Sequence, residues 1–530
     1  MDAVCARQTF GGVVRQPFDT VMSGSRPGRA LAAPTIMGGV NLERAANSSF
    51  VGLPMGAIAQ GSASLSRAPK VQQPSAVATP PRPFVEAQPL PDLREASVLD
   101  SGLTGELGSG LKGLHTGKFT VQATQPIMYS VEECEDLLNP SNMALLSGIV
   151  PNTFPPQVAP YTRSAGKQLR RLLVVDENWY RLHGAKLDKY LEHHRVESKI
   201  IQLPFCEANK SFDLVFEVAQ QIEDFKLHRR REPLIAIGGG VCLDVVGLAA
   251  NLYRRNTPVI KIPTTLMAVV DASIGVKTAV NFHNKKNKLG TYCPPLGVFY
   301  DRAFLKTLDD RHLSNGAAEI LKMAAIKDAP LFHMLEQHSA QLIASRFQTP
   351  AARLVLRRSI QGMLEELECN LYEHVLTRVV DYGHTFSPEI EMAALETNDE
   401  LLHGEAVNID MALTTEIAHR RGYITADHKR RVFAIMRALR LPFWHASVTP
   451  KLLIKGLRDM TIARDGLQRV PLMSGIGGAR FVNNLSDDEV FAAAAALQHY
   501  AQSLECPEAI DGLSPFFDMD HFPSPAMLAN

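Results

Sequence analysis

Four short apolar runs, Leu172-Leu173-Val174-Val175, Ile200-Ile201-Gln202-Leu203, Leu234-Ile235-Ala236-Ile237 and Val259-Ile260-Lys261-Ile262, restrict most strongly the folds open to this chain. Runs of this length have the size and composition of buried strands, and amphipathic stretches and turn residues alternate with them. The segment to about Leu305 therefore reads as repeated strand and helix units in a largely parallel sheet. Beyond Leu305 the periodicity becomes helical, with few strand-like runs until Val470-Pro471-Leu472. The expected organisation is an extension and proline-rich linker over residues 1–118, an α/β domain over 119–305, a helical domain over 306–505 and a flexible tail over 506–530.

At 530 residues with 45% hydrophobic content, the chain can build two sizeable cores besides these extra segments. Its 55 basic and 55 acidic side chains cancel, which gives no electrostatic case for nucleic acid or an anionic membrane as partner, so phosphate binding has to be local. Seven cysteines at 5, 134, 206, 242, 293, 369 and 506 form no close pairs, which argues against a disulfide framework or a cysteine-rich zinc site. No run of eighteen apolar residues occurs, so a membrane anchor is not expected. Residues 1 to about 80 carry three acidic and seven basic side chains among Ala, Ser, Gly and Arg, a composition shared by organellar transit peptides, a plastid one included, and by generic disordered tails. Prolines at 69, 74, 80, 81, 83, 89 and 91 predict a stiff linker, with folded structure starting near Phe119.

Two features carry chemistry. Gly238-Gly239-Gly240 follows a predicted strand and opens a helix-like run, where glycines let backbone amides approach a pyrophosphate at a helix N-terminus; a tight strand-to-helix turn would look the same. The segment Asp381-Tyr382-Gly383-His384-Thr385-Phe386-Ser387-Pro388 is followed, nineteen residues past His384, by His403-Gly404-Glu405. One imidazole from each, joined by the Glu319 carboxylate, would make a two-histidine, one-carboxylate zinc site with a position open to substrate oxygens. Taken alone, two such histidines would cap or hydrogen-bond within helices roughly three times as often as they would ligate a metal.

These motifs, together with Pro263-Thr264-Thr265-Leu266, Asp271, Lys277, Lys286-Asn287 and Glu319 with Lys322, occur in an order that resembles the sugar phosphate cyclase superfamily, of which dehydroquinate synthase is the best-known member. The resemblance runs from about residue 120 to about 500. It implies an α/β Rossmann-like domain with a largely parallel sheet, followed by an all-helical metal-binding domain, in a homodimer. It also implies NAD and Zn2+, with Co2+ able to use the same ligands. By resemblance NAD is bordered by Asp176, Asn178, Glu207, Lys210, Gly239, Gly240, Asp244, Thr264, Thr265, Asp271, Lys277, Lys286, Phe304 and Thr307. A small phosphosugar would meet Asp271, Lys277, Lys286, Asn287, Lys322, Asp381, Arg464 and, from a neighbouring subunit, Arg255. The metal ligands would be Glu319, His384 and His403. The implied reaction oxidises a ring hydroxyl transiently, eliminates phosphate, reduces the ketone again and closes a carbocycle by an intramolecular aldol step.

The chain departs from dehydroquinate synthase where that enzyme would meet a substrate carboxylate. The expected lysine is Met363, the arginine is Thr377 with Arg378 adjacent, the asparagine is Asp381, and the histidine after the first ligand is Pro388. Loss of a cation and gain of an anion argue for a substrate without that carboxylate, such as sedoheptulose 7-phosphate. The implied branch makes 2-epi-5-epi-valiolone. Desmethyl-4-deoxygadusol synthase is the rival, then 3-dehydroquinate synthase, a glycerol-dehydrogenase-like oxidoreductase, and a regulatory NAD- or metal-binding protein on a retained scaffold.

Overall fold

The computed structural model describes residues 127–147, 168–228, 232–283 and 285–505. The transit-peptide-like extension, the proline-rich linker, the expected start at Phe119 and the tail from 506 lie outside these residues. Six strands, β1 (Val131–Glu133), β2 (Arg170–Asp176), β3 (Glu197–Leu203), β4 (Leu234–Gly238), β5 (Val259–Pro263) and β8 (Gly297–Tyr300), form one sheet in the order β1-β8-β5-β4-β2-β3. All its pairings are parallel. The four apolar runs are thus its central strands and one edge. Their alternate residues feed two separate cores: Leu172, Val174, Leu234, Ala236 and Val259 face one, and Leu173, Val175, Ile235, Ile237 and Ile260 face the other. A strand buried on both faces has no polar side to alternate, which explains the unbroken hydrophobicity.

Helices α2 (Glu177–His193), α3 (Phe212–Phe225) and α4 (Gly240–Leu252) make the crossovers, and a short α1 (Ala144–Ser147) lies near the start. From β2 the chain moves outward to β3, then returns to the other side of β2 as β4. That reversal opens a crevice beyond the carboxyl ends of β2 and β4, at Asp176 and Gly238, where open parallel sheets bind ligands. A π-helical turn at Ala268–Ala272 follows β5, and an antiparallel hairpin of β6 (Lys277–Phe282) and β7 (Lys285–Tyr292) projects beside it. The charged 285–288 run is therefore part of a strand, which the sequence reading did not anticipate.

From Asp310 onward the chain is mainly helical: α5 (Asp310–Ile326), α6 (Ala329–Ala344), α7 (Pro350–Glu368), α8 (Ser387–Leu395), α9 (His403–Arg420), α10 (Ala426–Ala438), α11 (Pro450–Ala463) and α12 (Asp487–Glu505). A small antiparallel pair, β9 (Val470–Met473) and β10 (Ala479–Val482), packs among them. Every residue of α5 from Leu313 to Ile326 is buried, as are Gly404 to Ala418 of α9, so these two helices form the centre. Their contact is close enough that a Cβ on Gly404 would lie 1.9 Å from the Asn315 carbonyl oxygen, and Gly404 N–H donates to Asn315 Oδ1 at 2.5 Å. Among the described residues no helix is long and apolar enough to cross a membrane.

Candidate active site

The α5–α9 contact brings Glu319 and His403 together, and the turn before α8 adds His384. Their ligand atoms all lie within 4.8 Å of one another. His384 Nε2 is 3.8 Å and His403 Nε2 3.6 Å from Glu319 Oε1. Glu319 is only 1% exposed; the Lys322 ammonium one turn later contacts its Oε2, while Oε1, the oxygen facing the two imidazoles, accepts no hydrogen bond among the described residues. That buried oxygen is left with unused acceptor capacity toward the histidines.

Both imidazoles are aimed. His384 Nδ1 faces the Tyr382 carbonyl at 3.1 Å, and His403 Nδ1 faces Glu391 Oε2 at 2.9 Å, so each Nδ1–H has an acceptor and each Nε2 lone pair turns toward Glu319. An acceptor behind each ligating histidine is the arrangement that fixes tautomer and ring direction at metal sites. Burial, then the Lys322 ammonium and His403, push the His384 pKa well below the ordinary imidazole value, which keeps it neutral as ligation requires. Glu391 also pairs with Lys286, whose Nζ lies 3.2 Å from His403 Nδ1. Burial raises the Glu391 carboxyl, but Lys286 and His403 outweigh it and hold the group well below the usual range. The donor set, with a neutral His384 and the unused Glu319 Oε1 facing both rings, fits a small divalent cation such as zinc.

A cleft of about 820 Å³ runs from Asp176 and Trp179 at the sheet crevice to Glu391 and His403. Of the fourteen residues expected around NAD, thirteen line it; the exception is Lys277. Gly239, the N-cap of α4, carries no side chain to cap the first turn, so the positive end of that helix faces the cleft. Asp176 caps α2 by accepting from Asn178 N–H at 3.0 Å and Trp179 N–H at 3.1 Å while also lining the cleft. Buried Lys210 donates to Asp244 at 2.6 Å and to Asn287 Oδ1 at 2.7 Å; Asn287 N–H donates to Asn281 Oδ1, and Asn281 Nδ2 reaches Glu207 at 2.9 Å. This network ties the hairpin to the glycine turn. Thr307 bonds His183 at 2.9 Å, and Phe304 meets Trp179 edge-on at 5.1 Å. These surfaces fit an elongated, anionic dinucleotide.

The remaining candidates form a chain of charges. Lys277, at the start of β6, is half-exposed and pairs with Glu373, which also accepts from Arg378. Arg378 Nε donates to Asp381 Oδ1 at 3.1 Å, and Arg464 lies 3.4 Å from Asp381 Oδ2. Asp381 is thus held between two guanidiniums rather than standing as a lone acceptor. Although burial raises its carboxyl, Arg378 and Arg464 hold the pKa below the ordinary value. Buried Arg464 also donates to the Gln468 carbonyl at 2.9 Å, and its Nε has no hydrogen-bond partner among the described residues. Arg255 stands apart, exposed in the turn after α4 with a φ of 60° and not among the cleft-lining groups. Glu391, Glu373, Asn281 and Asp410 were not found from sequence. Glu391 lies in the second turn of α8, seven residues past His384, but nothing in the sequence distinguishes it from Glu389.

Comparisons with known proteins agree with this geometry. Residues 200–315 match the family described as 3-dehydroquinate synthase N-terminal, and residues 316–460 match 3-dehydroquinate synthase C-terminal. A 2-epi-5-epi-valiolone synthase from Actinomyces sp is 47% identical over 388 residues, 72% of this chain and 98% of that protein. A demethyl-4-deoxygadusol synthase from Trichormus variabilis is 37% identical over 334 residues, 62% of this chain and 80% of that protein. The solved structure of ValA, a 2-epi-5-epi-valiolone synthase from Streptomyces hygroscopicus subsp. jinggangensis with NAD+ and Zn2+ bound, is similar with a TM-score of 0.65 at 46% identity, over 72% of this chain and 100% of that one.

Proposed function

We propose that this chain, which belongs to the sugar phosphate cyclase family of 3-dehydroquinate synthase and 2-epi-5-epi-valiolone synthase, converts sedoheptulose 7-phosphate to 2-epi-5-epi-valiolone with loss of phosphate. By the bond broken it is a carbon–oxygen lyase. The product is the substrate less one phosphoric acid, because the hydride removed from the ring is returned to it. Bound zinc would supply a Lewis acid at the substrate oxygens, and bound NAD a reversible hydride acceptor.

Glu319, His384 and His403 would hold the metal, and the cleft from Asp176 to His403 would hold the dinucleotide. Lys322 and Lys286 present ammonium groups beside the ligand cluster, and both pKa values are raised: burial opposes this, but Glu319 for Lys322 and Glu391 for Lys286 prevail. They stay charged and can only donate, which suits them to orient hydroxyl and phosphate oxygens. The substrate's own phosphate remains the best candidate for the base in the elimination. Proximity inside one site then supplies much of the rate.

The observation that carries the choice of substrate is the pairing of Asp381 with Arg378 and Arg464. Two guanidiniums that would attract a substrate carboxylate already have one from the protein. Met363, 5% exposed on α7, adds no charge. This compensation, more than bare repulsion, disfavours a carboxylated sugar. The higher identity to the Actinomyces synthase than to the Trichormus enzyme supports valiolone over deoxygadusol as product.

Phosphate release from sedoheptulose 7-phosphate with NAD held far below substrate tests the reading. A cyclase releases many equivalents of phosphate per NAD without accumulating NADH. Accumulation of NADH without phosphate would instead indicate a dehydrogenase on this fold. We also propose that the protein is a homodimer, which places Arg255 at a neighbouring site.

A further inference from the structure

We infer that Asp410 is a positioning residue that sets the placement of His384 relative to His403, by holding the turn before α8 against α9. The inference rests on reading Glu319, His384 and His403 as metal ligands. Asp410 lies on α9 seven residues after His403, about 10 Å along the helix axis. Its side chain is fully buried, and Oδ2 accepts from Phe386 N–H at 2.5 Å and Ser387 N–H at 2.9 Å. Those donors open α8, whose N-cap, Phe386, has no capping side chain of its own. The cap is supplied from another helix, and its charge meets the positive end of α8.

Further contacts fasten the same turn to the same helix. Tyr382 Oη meets Thr415 Oγ1 at 2.7 Å and donates to the Met411 carbonyl at 3.2 Å. Gly383 has a φ of 75°, and a Cβ there would lie 2.7 Å from Met411 Cγ and 2.9 Å from Val407 Cγ1. Ser387 Oγ donates to the Gly383 carbonyl at 2.6 Å and closes the turn. The Tyr382 carbonyl behind His384 belongs to this turn, and Glu391 behind His403 belongs to α8. Releasing the start of α8 would loosen the acceptors of both ligands at once.

Energetics separate this role from ordinary structural support. Asp410 Oδ1 accepts no hydrogen bond among the described residues, so burying it offsets part of what the two Oδ2 bonds contribute to stability. Its effect lies in where the turn sits, and metal affinity should report it more strongly than folding does.

The test measures zinc affinity of the full chain by competition with a chromogenic chelator, alongside NAD binding read from quenching of Trp179, which lines the cleft, and the melting temperature of the zinc-free protein. Asp410→Ala is expected to raise the zinc Kd by about 10- to 100-fold with the NAD Kd near wild type, and to lower the zinc-free melting temperature because the Phe386 and Ser387 N–H groups lose their buried acceptor, a loss that Asp410→Asn largely avoids. Asp410→Asn, which keeps one acceptor oxygen, is expected to raise the zinc Kd about threefold, by the loss of charge at the α8 cap. A zinc Kd for Asp410→Ala equal to wild type, or an equal loss of zinc and NAD binding, overturns the inference. If Asp410→Ala does not fold, Asp410→Asn decides it, and an unchanged zinc Kd there is contradictory. Wild-type protein that binds no zinc, or binding untouched by His384→Ala, would sink the ligand reading itself.

Discussion

As a proposed metal ligand, His403 is aimed by Glu391, which lies 2.9 Å from its Nδ1, and Lys286 pairs with Glu391 and helps keep that buried carboxylate charged. Truncating Glu391 to Ala should therefore raise the zinc Kd about 10- to 100-fold. Glu391→Gln, which keeps a carbonyl oxygen for the imidazole N–H, should cost several-fold less, and chelator competition ranks the two. Equal zinc affinity in wild type and Glu391→Ala would remove Glu391 from the account. The three proposed ligands could be picked out from sequence because each sits in a distinctive segment, and the structure brings them together. Glu391 could not, because its partner lies across an irregular connection with no period. Asp381 shows a different limit: its identity was legible, but not the two arginines that absorb its charge. Sequence distance gives no hint that Arg464 reaches it.

At the scale of elements, the parallel sheet and the switch to helices were legible because buried strands and amphipathic helices differ in period. The β6–β7 hairpin was not, since its largely exposed strand β7 carries the charges of a solvated face. The approach of α5 to α9 depends on Gly404, whose Cβ position is occupied by the Asn315 carbonyl. Gly404→Ala should destabilise the protein by about 3 kcal/mol, seen as a lowered thermal midpoint and loss of zinc together; a wild-type midpoint would show that the helices can part freely. Docking of α12 has a pH signature. Arg421, at the end of α9, hydrogen-bonds Glu489 and holds its pKa down to about 2, below an unfolded value of about 4.3. Its stabilisation is complete above the unfolded pKa and is lost as pH falls toward about 2. For this partly exposed pair the effect is below about 1 kcal/mol. Glu489→Gln should thus be slightly less stable in urea at pH 7, with the gap closing on acidification; a gap that widens in acid would contradict the assignment.

For the whole molecule, the sheet's reversal point and the helical ligand cluster open onto one cleft, with Gly239 at one end and His403 at the other. Most contacts expected for the dinucleotide belong to the sheet half, so removing metal with a chelator should abolish turnover while leaving the NAD Kd within about threefold, given their distance from the ligands. Loss of both together would mean that metal organises the entire cleft. The central claim is that Asp381, clamped by Arg378 and Arg464, selects a sugar phosphate without a carboxylate. It is tested most directly by giving the enzyme, with NAD and zinc, sedoheptulose 7-phosphate and the carboxylated heptulosonate phosphate in parallel and identifying products by mass and NMR. Phosphate released from the first alone, with 2-epi-5-epi-valiolone as product, is the predicted result; turnover of the carboxylated sugar in preference would contradict it.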